Sequence, residues 1–265
     1  MPAGLPPDDP TRRFTGRVAD YARHRPSYPP ELLRLLREEL GLRPDHVVAD
    51  VGSGTGILTE VLLAHGNRVF AVEPNRAMAA EAVRRLGGSR LFRDVDGRAE
   101  ATGLDAGRFD FVVVGQAFHW FDPARAREEF RRILRPDGWV ALVWNIRRAD
   151  GTPFLRDYEA FLRRWGTDYE EVSSRYRDEA ALATLFGPGG FRSRRFDHRQ
   201  TFDLDGLRGR LLSSSYTPAE GDPRRGPMLA ALPAVFEAHQ EQGRVAFAYD
   251  THVYYGRPAP GAGVS

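Results

Sequence analysis

Positions 50 to 56 read Asp50-Val51-Gly52-Ser53-Gly54-Thr55-Gly56, an acid and three alternating glycines at the end of an apolar run. A turn this rich in glycine lets a ligand come up against the backbone, where a side chain would collide. The dinucleotide fingerprint G-x-G-x-x-G would place its third glycine at position 57, which is isoleucine here. Glu73 adds a second constraint. It closes the next apolar run, 17 residues beyond Gly56, where a carboxylate can accept hydrogen bonds from both hydroxyls of a ribose. Loop and acid together suit a ligand built on adenosine. A tight structural turn and a surface acid near a helix start are the plainer alternatives.

Other residues able to do chemistry follow the later apolar runs. His119 comes directly after the run 110–115, at the strand end where an open parallel sheet binds its ligands. An imidazole there is the candidate general base; packed against Trp120, it would be pocket wall instead. Trp120, Phe121 and Trp144 are placed to exclude water and touch an acceptor. Asn145 and Arg147 follow the fifth run, and Arg147 could pair with an acceptor carboxylate or lie on the surface. His24 and Tyr28 precede the sheet and could serve a pocket or a lid.

Two absences exclude whole chemistries. The chain has no cysteine, which removes disulfides, thiolate metal sites and thiol nucleophiles. It also has no lysine, so all 38 basic residues are arginine; Schiff-base chemistry and a P-loop lysine are excluded. The seven histidines are dispersed, without helical pairing to acids, and no metal site is expected. Net charge is only +2, and arginines such as those at 125–135 alternate with acids. That pattern reads as a solvated helix face and disfavours nucleic acid as a partner.

These residues require a scaffold of alternating strands and helices. The runs 46–51, 68–73, 91–93, 110–115 and 139–144 read as buried strands. Helices are expected over 57–65 (stopped by Gly66), from Pro74 to Gly87, and from a cap at Asp122 to about 134. The turn at 136–138 leads into the fifth strand. This rhythm predicts an α/β, doubly wound Rossmann-like sheet, mostly parallel with an antiparallel edge strand. An N-terminal helical lid and a C-terminal helical cap insert complete the expected fold. Residues 1–40 would form a tail and lid in which Pro29 and Pro30 open an amphipathic helix, and residues 41–150 the ligand-binding core. Residues 151–256 would form the cap and edge strands (191–203 and 245–255), and 257–265 a loose tail. The aromatic series Phe154, Tyr158, Phe161, Trp165, Tyr169, Tyr176 reads as cap core. No apolar run is long enough to span a bilayer, and the N-terminus lacks the basic-then-apolar order of a secretory signal, so a cytoplasmic protein is expected.

The segment 50–56 resembles motif I of class I S-adenosylmethionine (SAM)-dependent methyltransferases, and Glu73 the acid of the following motif. Gly97-Arg98-Ala99-Glu100 is similar to the segment that lines the adenine, and 134–138 (LRPDG) to the turn before the fifth strand. Phe14…Ala19-Asp20-Tyr21…Arg25-Pro26-Ser27-Tyr28-Pro29, with Gln116-Ala117-Phe118-His119-Trp120-Phe121, is similar to the type 11 methyltransferases. The nearest likeness is to a branch resembling trans-aconitate methyltransferase and the fungal enzymes that methylate small dicarboxylic acids. The likeness covers residues 14–145 and runs more loosely to about 256.

What the resemblance implies is a SAM cofactor, leaving as S-adenosylhomocysteine. Its site would comprise Tyr21, Arg25, Asp50, Gly52, Ser53, Gly54, Thr55, Gly56, Glu73, Pro74, Arg98, Ala99, Glu100 and Gln116. Within that set Tyr21 and Arg25 would meet the methionine carboxylate and Ala99 the adenine. A small-molecule acceptor, with a carboxylate or hydroxyl oxygen favoured, would meet His24, Tyr28, His119, Trp120, Trp144, Asn145, Arg147 and Tyr216. The turn 213–216 is similar to a small polar turn of that branch's cap. A monomer or homodimer without membrane attachment is expected. An RNA methyltransferase and an inert SAM-binding interaction protein are the alternatives. An NAD-dependent dehydrogenase is disfavoured by Ile57.

Overall fold

A computed structural model describes residues 17–170, 178–188 and 190–260. The expected N-terminal tail (1–13), Phe14, Tyr176 and positions 261–265 lie outside the described residues. Alternating apolar runs and helices build a seven-stranded sheet: β1 (Val47–Val51), β2 (Arg68–Val72), β3 (Phe92–Val95), β4 (Phe109–Gly115), β5 (Leu134–Arg147), β6 (Phe191–Phe202) and β7 (Val245–Gly256). Their order across the sheet is β3-β2-β1-β4-β5-β7-β6. Strands β1 to β5 are parallel. Strand β7 runs antiparallel to both β5 and β6, so the reversed strand lies one place in from the edge, and β6 forms the edge itself. The chain order reverses between β1 and β4, which opens a crevice at the carboxyl ends of those two strands.

Among the described residues the helices are α1 (Val18–His24), α2 (Pro30–Glu38), α3 (Ile57–His65), α4 (Arg76–Leu86), α5 (Pro123–Ile133), α6 (Pro153–Trp165), α7 (Glu179–Phe186), α8 (Leu204–Leu212) and α9 (Arg225–Glu237). Asp122 caps α5 as expected, accepting from the amides of Ala124 and Arg125, and Asn75 caps α4, accepting from those of Ala77 and Met78. Pro153 and Pro123 stand in the first turns of α6 and α5.

The core divides by sheet face. Leu32, Leu35 and Leu36 of α2 pack with Leu58 and Leu62 of α3 against Val48, Phe111, Val113 and Val143. Thus α2, expected as part of a lid, is a layer of the sandwich. On the other face, Phe130 and Ile133 of α5 and Leu185 of α7 cover Val112, Val114, Leu142 and Trp144. The cap has its own core, in which Phe154, Tyr158 and Phe161 meet Leu207, Leu211 and Phe247. Only α1 lies over the cap. It approaches α8 so closely that a side chain at Gly209 would collide with the His24 ring. The Arg17 guanidinium donates to the carbonyls of Ser214 and Thr217. Residues 257–260, expected within a loose tail, pack back on the fold. The Ala259 amide donates to the Leu185 carbonyl (3.0 Å) and Arg257 lies 5.5 Å over the Trp139 ring.

Candidate functional site

Strand β1 ends at Val51, and the chain must turn at once into α3. It does so through Gly52, Gly54 and Gly56, whose φ angles of +70°, +57° and +83° fall in the left-handed region that favours glycine. Space demands glycine as well: a Cβ on Gly52 would stand 2.6 Å from the Ala117 Cβ, and one on Gly56 2.6 Å from Leu86 Cδ1. The amides of Gly52 and Ser53 donate to the Val72 carbonyl at 2.8 and 3.2 Å, fastening the turn to the end of β2. Glu73 then locks it. One carboxylate oxygen accepts from the Gly54 amide (2.8 Å) and the other from the Asn75 amide (2.8 Å). Burial pushes this carboxyl above its ordinary pKa, against the pull of those two amides. Each oxygen keeps a second lone pair.

Above this turn lies a narrow cleft, roofed by α1 and the chain after it and reaching Arg210 of α8. Four buried polar atoms of its lining residues have no hydrogen-bond partner among the described residues: Asp50 Oδ1, Ser53 Oγ, Thr55 Oγ1 and Arg25 Nε. Asp50 is fully buried, and its other oxygen accepts from the Thr59 hydroxyl at 2.6 Å. Desolvation raises this carboxyl from 3.8 to about 7, with the Thr59 bond opposing and Glu73 reinforcing. The Arg25 guanidinium donates to the Ser213 carbonyl (3.0 Å) and lies 4.9 Å over the Tyr21 ring. Tyr28 presses its hydroxyl against Gly115, where any side chain would collide with it. Burial drives that phenol well above its ordinary pKa. Gln116, just past β4, holds φ at +63°, a conformation that costs a non-glycine residue of order 1–3 kcal/mol and persists where surrounding structure imposes it. Asn145 closes the cleft from β5, donating to the Ser27 carbonyl (2.9 Å) and accepting from the Thr251 hydroxyl (2.6 Å).

Tyr21, Arg25, Tyr28, Asp50, Gly52, Ser53, Gly54, Thr55, Gln116 and Asn145 are thus brought together in one cleft, with Gly56 and Glu73 directly beneath. The remaining expected residues stand elsewhere. Pro74 is half-buried beside Glu73, Arg98 is exposed, and Ala99 is buried. Glu100 accepts from the Asp122 amide (2.9 Å) at the start of α5, a helix-end role. His119 and Trp120 sit in a one-turn 3₁₀ helix with their rings 4.7 Å apart, outside the cleft lining. Trp144 faces away. As the neighbour of Asn145 on one strand it must point to the other face, where it is buried against Phe118 and Tyr254. His24 lies in the contact between α1 and α8. Arg147, expected at an acceptor carboxylate, instead meets Glu159 at 2.6 Å and the Tyr169 hydroxyl at 2.9 Å inside the cap. A buried guanidinium with its own acid is already neutralised. Tyr216 stacks edge-on against Tyr169, 4.9 Å away, beside that pair.

Residues 49–142 match the methyltransferase domain family. A stretch of 141 residues is 42% identical to an uncharacterized methyltransferase of Mycobacterium tuberculosis, covering 51% of this chain and 52% of that one. Over 141 residues the chain is also 34% identical to an uncharacterized methyltransferase of Schizosaccharomyces pombe, covering 51% of this chain and 53% of that protein. The chain thus spans about half the length of the curated relatives it matches. Among solved structures, a candidate type II methyltransferase of Anaeromyxobacter dehalogenans superposes with a TM-score of 0.64 at 27% identity, covering 88% of this chain and 97% of that one. Residues 49–142 form a class I methyltransferase domain. Its matched segment contains the glycine turn, Glu73, Gln116 and His119. Six residues that line the cleft lie outside the matched methyltransferase segment: Tyr21, Arg25, Pro26 and Tyr28 before it, Asn145 and Arg210 after it.

Arg210 was not reached by sequence reasoning. The signal is present: with Leu207, Leu211 and Ser214 it falls on one face of a helix at spacings of three, four and seven. An arginine on an otherwise buried stripe is an anomaly that seeks an anion.

Proposed function

We propose that this protein is a SAM-dependent methyltransferase that acts on a small molecule, at a carboxylate or hydroxyl oxygen. One observation carries the reading. The four unpartnered atoms on Asp50, Ser53, Thr55 and Arg25 converge on a cleft whose floor is a glycine turn tied to Glu73. This set is amphoteric, as an amino-acid-bearing adenosine demands. Asp50 Oδ1 suits an ammonium, Arg25 a carboxylate, and the spare lone pairs of Glu73 a ribose. A dinucleotide would have no use for an acid and an arginine facing the same cleft.

SAM, when bound, supplies a methyl group made electrophilic by its sulfonium sulfur. What the chain's own residues contribute is position and dryness. Holding two reactants at attack distance is worth up to about 7–11 kcal/mol in favourable cases. Tyr28, Leu58 and Pro26 line the cleft with apolar surface and keep water from the reacting centre, where positive charge disappears during transfer. No histidine lines the cleft among the described residues, and the Tyr28 phenol is held well above its ordinary pKa by burial. An acceptor that arrives ionised fits such a lining, since it needs no base. His119 then acts as wall for the neighbouring region, packed on Trp120.

Isothermal titration of the chain with SAM, S-adenosylhomocysteine and NAD tests the reading. Micromolar binding of both adenosyl ligands and none of NAD is expected. Absence of binding by the adenosyl ligands would refute it.

A further inference from the structure

Of the two arginines buried in the cap, one has its counter-ion and the other does not. Arg147 is held by Glu159 at 2.6 Å. Arg210 is 5% exposed, and its partners are the Tyr249 hydroxyl (3.3 Å), Ser213 Oγ (3.4 Å) and Ser214 Oγ (2.8 Å), all neutral. No carboxylate forms a salt bridge with Arg210 or with Arg25 among the described residues. The two are linked through one residue: Arg25 donates to the Ser213 carbonyl, and Arg210 to the Ser213 hydroxyl. Both line the cleft. The Tyr216 phenol registers the result. Burial alone would raise its pKa, yet the guanidinium groups of Arg210, Arg147 and Arg25 bring it below its ordinary value. Glu159 pairs with Arg147, and among the described residues no carboxylate pairs with the other two.

Burying a guanidinium without a counter-ion is strongly unfavourable, and such a group is retained where a ligand supplies the missing charge. We infer that Arg210 is a specificity-determining residue that receives a carboxylate of the methyl acceptor at the cap end of the cleft, while Arg25 serves the cofactor. The inference rests on the methyltransferase reading and narrows the acceptor to an anionic small molecule. Its Nε and one terminal nitrogen are taken by the Tyr249, Ser213 and Ser214 oxygens, which leaves the other terminal nitrogen to donate to a carboxylate oxygen. Those hydroxyl oxygens fix its direction, and the enclosed site strengthens the attraction.

The test uses the full chain and two variants, Arg210→Met, which keeps length without charge, and Arg210→Lys, which keeps charge without the guanidinium. Each is titrated with S-adenosylhomocysteine and with 5′-methylthioadenosine, which lacks the amino-acid end. Succinate and benzoate are then titrated into the protein with and without S-adenosylhomocysteine, their neutral amides serving as controls. The wild type should bind the carboxylates and not the amides. Arg210→Met should lose about thirtyfold or more in carboxylate affinity and keep its S-adenosylhomocysteine affinity within about threefold. Its melting temperature should hold or rise, because an unbalanced buried charge has been removed. Arg210→Lys should fall between; it also provides the reading if the methionine variant does not fold. A large loss of S-adenosylhomocysteine affinity with 5′-methylthioadenosine unchanged would assign Arg210 to the cofactor's carboxylate and overturn the acceptor assignment. Equal carboxylate binding by wild type and variants, or none by the wild type, would overturn the site altogether. Failure of the methyltransferase reading would register separately, as absence of S-adenosylhomocysteine binding by the wild type.

Discussion

Replacing Asp50 by asparagine should destabilise the ligand-free protein at low pH, and this effect should shrink and then reverse as pH rises. The argument begins with burial: Asp50 is fully enclosed, has one unpartnered oxygen, and titrates at about 7 instead of 3.8. Below pH 3.8 the carboxyl is neutral in both folded and unfolded chains, and the folded state has its full stability. Between 3.8 and about 7 the unfolded chain releases the proton while the folded chain keeps it, so stability falls as pH rises. Above 7 both forms are ionised and the loss is complete, at about 4 kcal/mol as an upper bound. Less than half of the loss has occurred by pH 5, which leaves a difference of about 3 kcal/mol between pH 5 and pH 8.

Asparagine cannot ionise, and its amide oxygen can still accept from Thr59 Oγ1, now 2.6 Å from the carboxylate. Its NH₂ group lacks a partner in the empty cleft, which costs about 1–3 kcal/mol at every pH. The quantity to measure is therefore the change with pH, by urea unfolding of wild type and Asp50→Asn at pH 5, 6.5 and 8. The difference in stability, variant minus wild type, should rise by about 3 kcal/mol across that range. A flat difference, constant within about 0.5 kcal/mol, would refute the claim that this buried carboxyl resists ionisation. The same variant should bind S-adenosylhomocysteine more weakly, because the ammonium would lose its acceptor.

Two further substitutions probe the neighbouring groups. Glu73→Ala should weaken S-adenosylhomocysteine binding by about 1–3 kcal/mol, since ribose hydroxyls and the Gly54 and Asn75 amides lose their acceptor; unchanged affinity in a folded variant would remove Glu73 from the ribose. Glu159→Gln should destabilise the fold by about 3–5 kcal/mol in urea, because it strands the Arg147 guanidinium, whose side chain is only 8% exposed. A loss below about 1 kcal/mol would show that the Tyr169 hydroxyl suffices for Arg147.

The glycine turn and Glu73 were legible from sequence because their constraints are local. Three glycines at alternate positions announce a backbone that turns where Cβ atoms do not fit, and an acid at the end of the next parallel strand falls beside it whatever the rest of the chain does. The strands and helices of the core were legible for the same reason, since burial and period act over a few residues. Trp144 and Asn145 show a local rule left unused. Neighbours on a strand point to opposite faces, so only one of the pair could enter the cleft, and the polar one does. Glu100 and His24 were drawn away by contacts no local pattern announces, with the start of α5 and with Gly209 of α8.

Arg147 and Arg210 mark the real limit. Both are arginines in amphipathic surroundings, and nothing in their flanking residues says which will meet an acid. The decision is tertiary. Helix α6 carries Glu159 to Arg147 at the end of β5, whereas α8 surrounds Arg210 with phenol and serine hydroxyls and turns it to the cleft. A guanidinium satisfied inside the protein serves the fold. One left unbalanced beside a ligand site destabilises the empty protein, and a substrate's charge offsets that cost on binding. The acceptor should therefore protect this fold against heat more strongly than its neutral analogue does, and more strongly as its concentration rises.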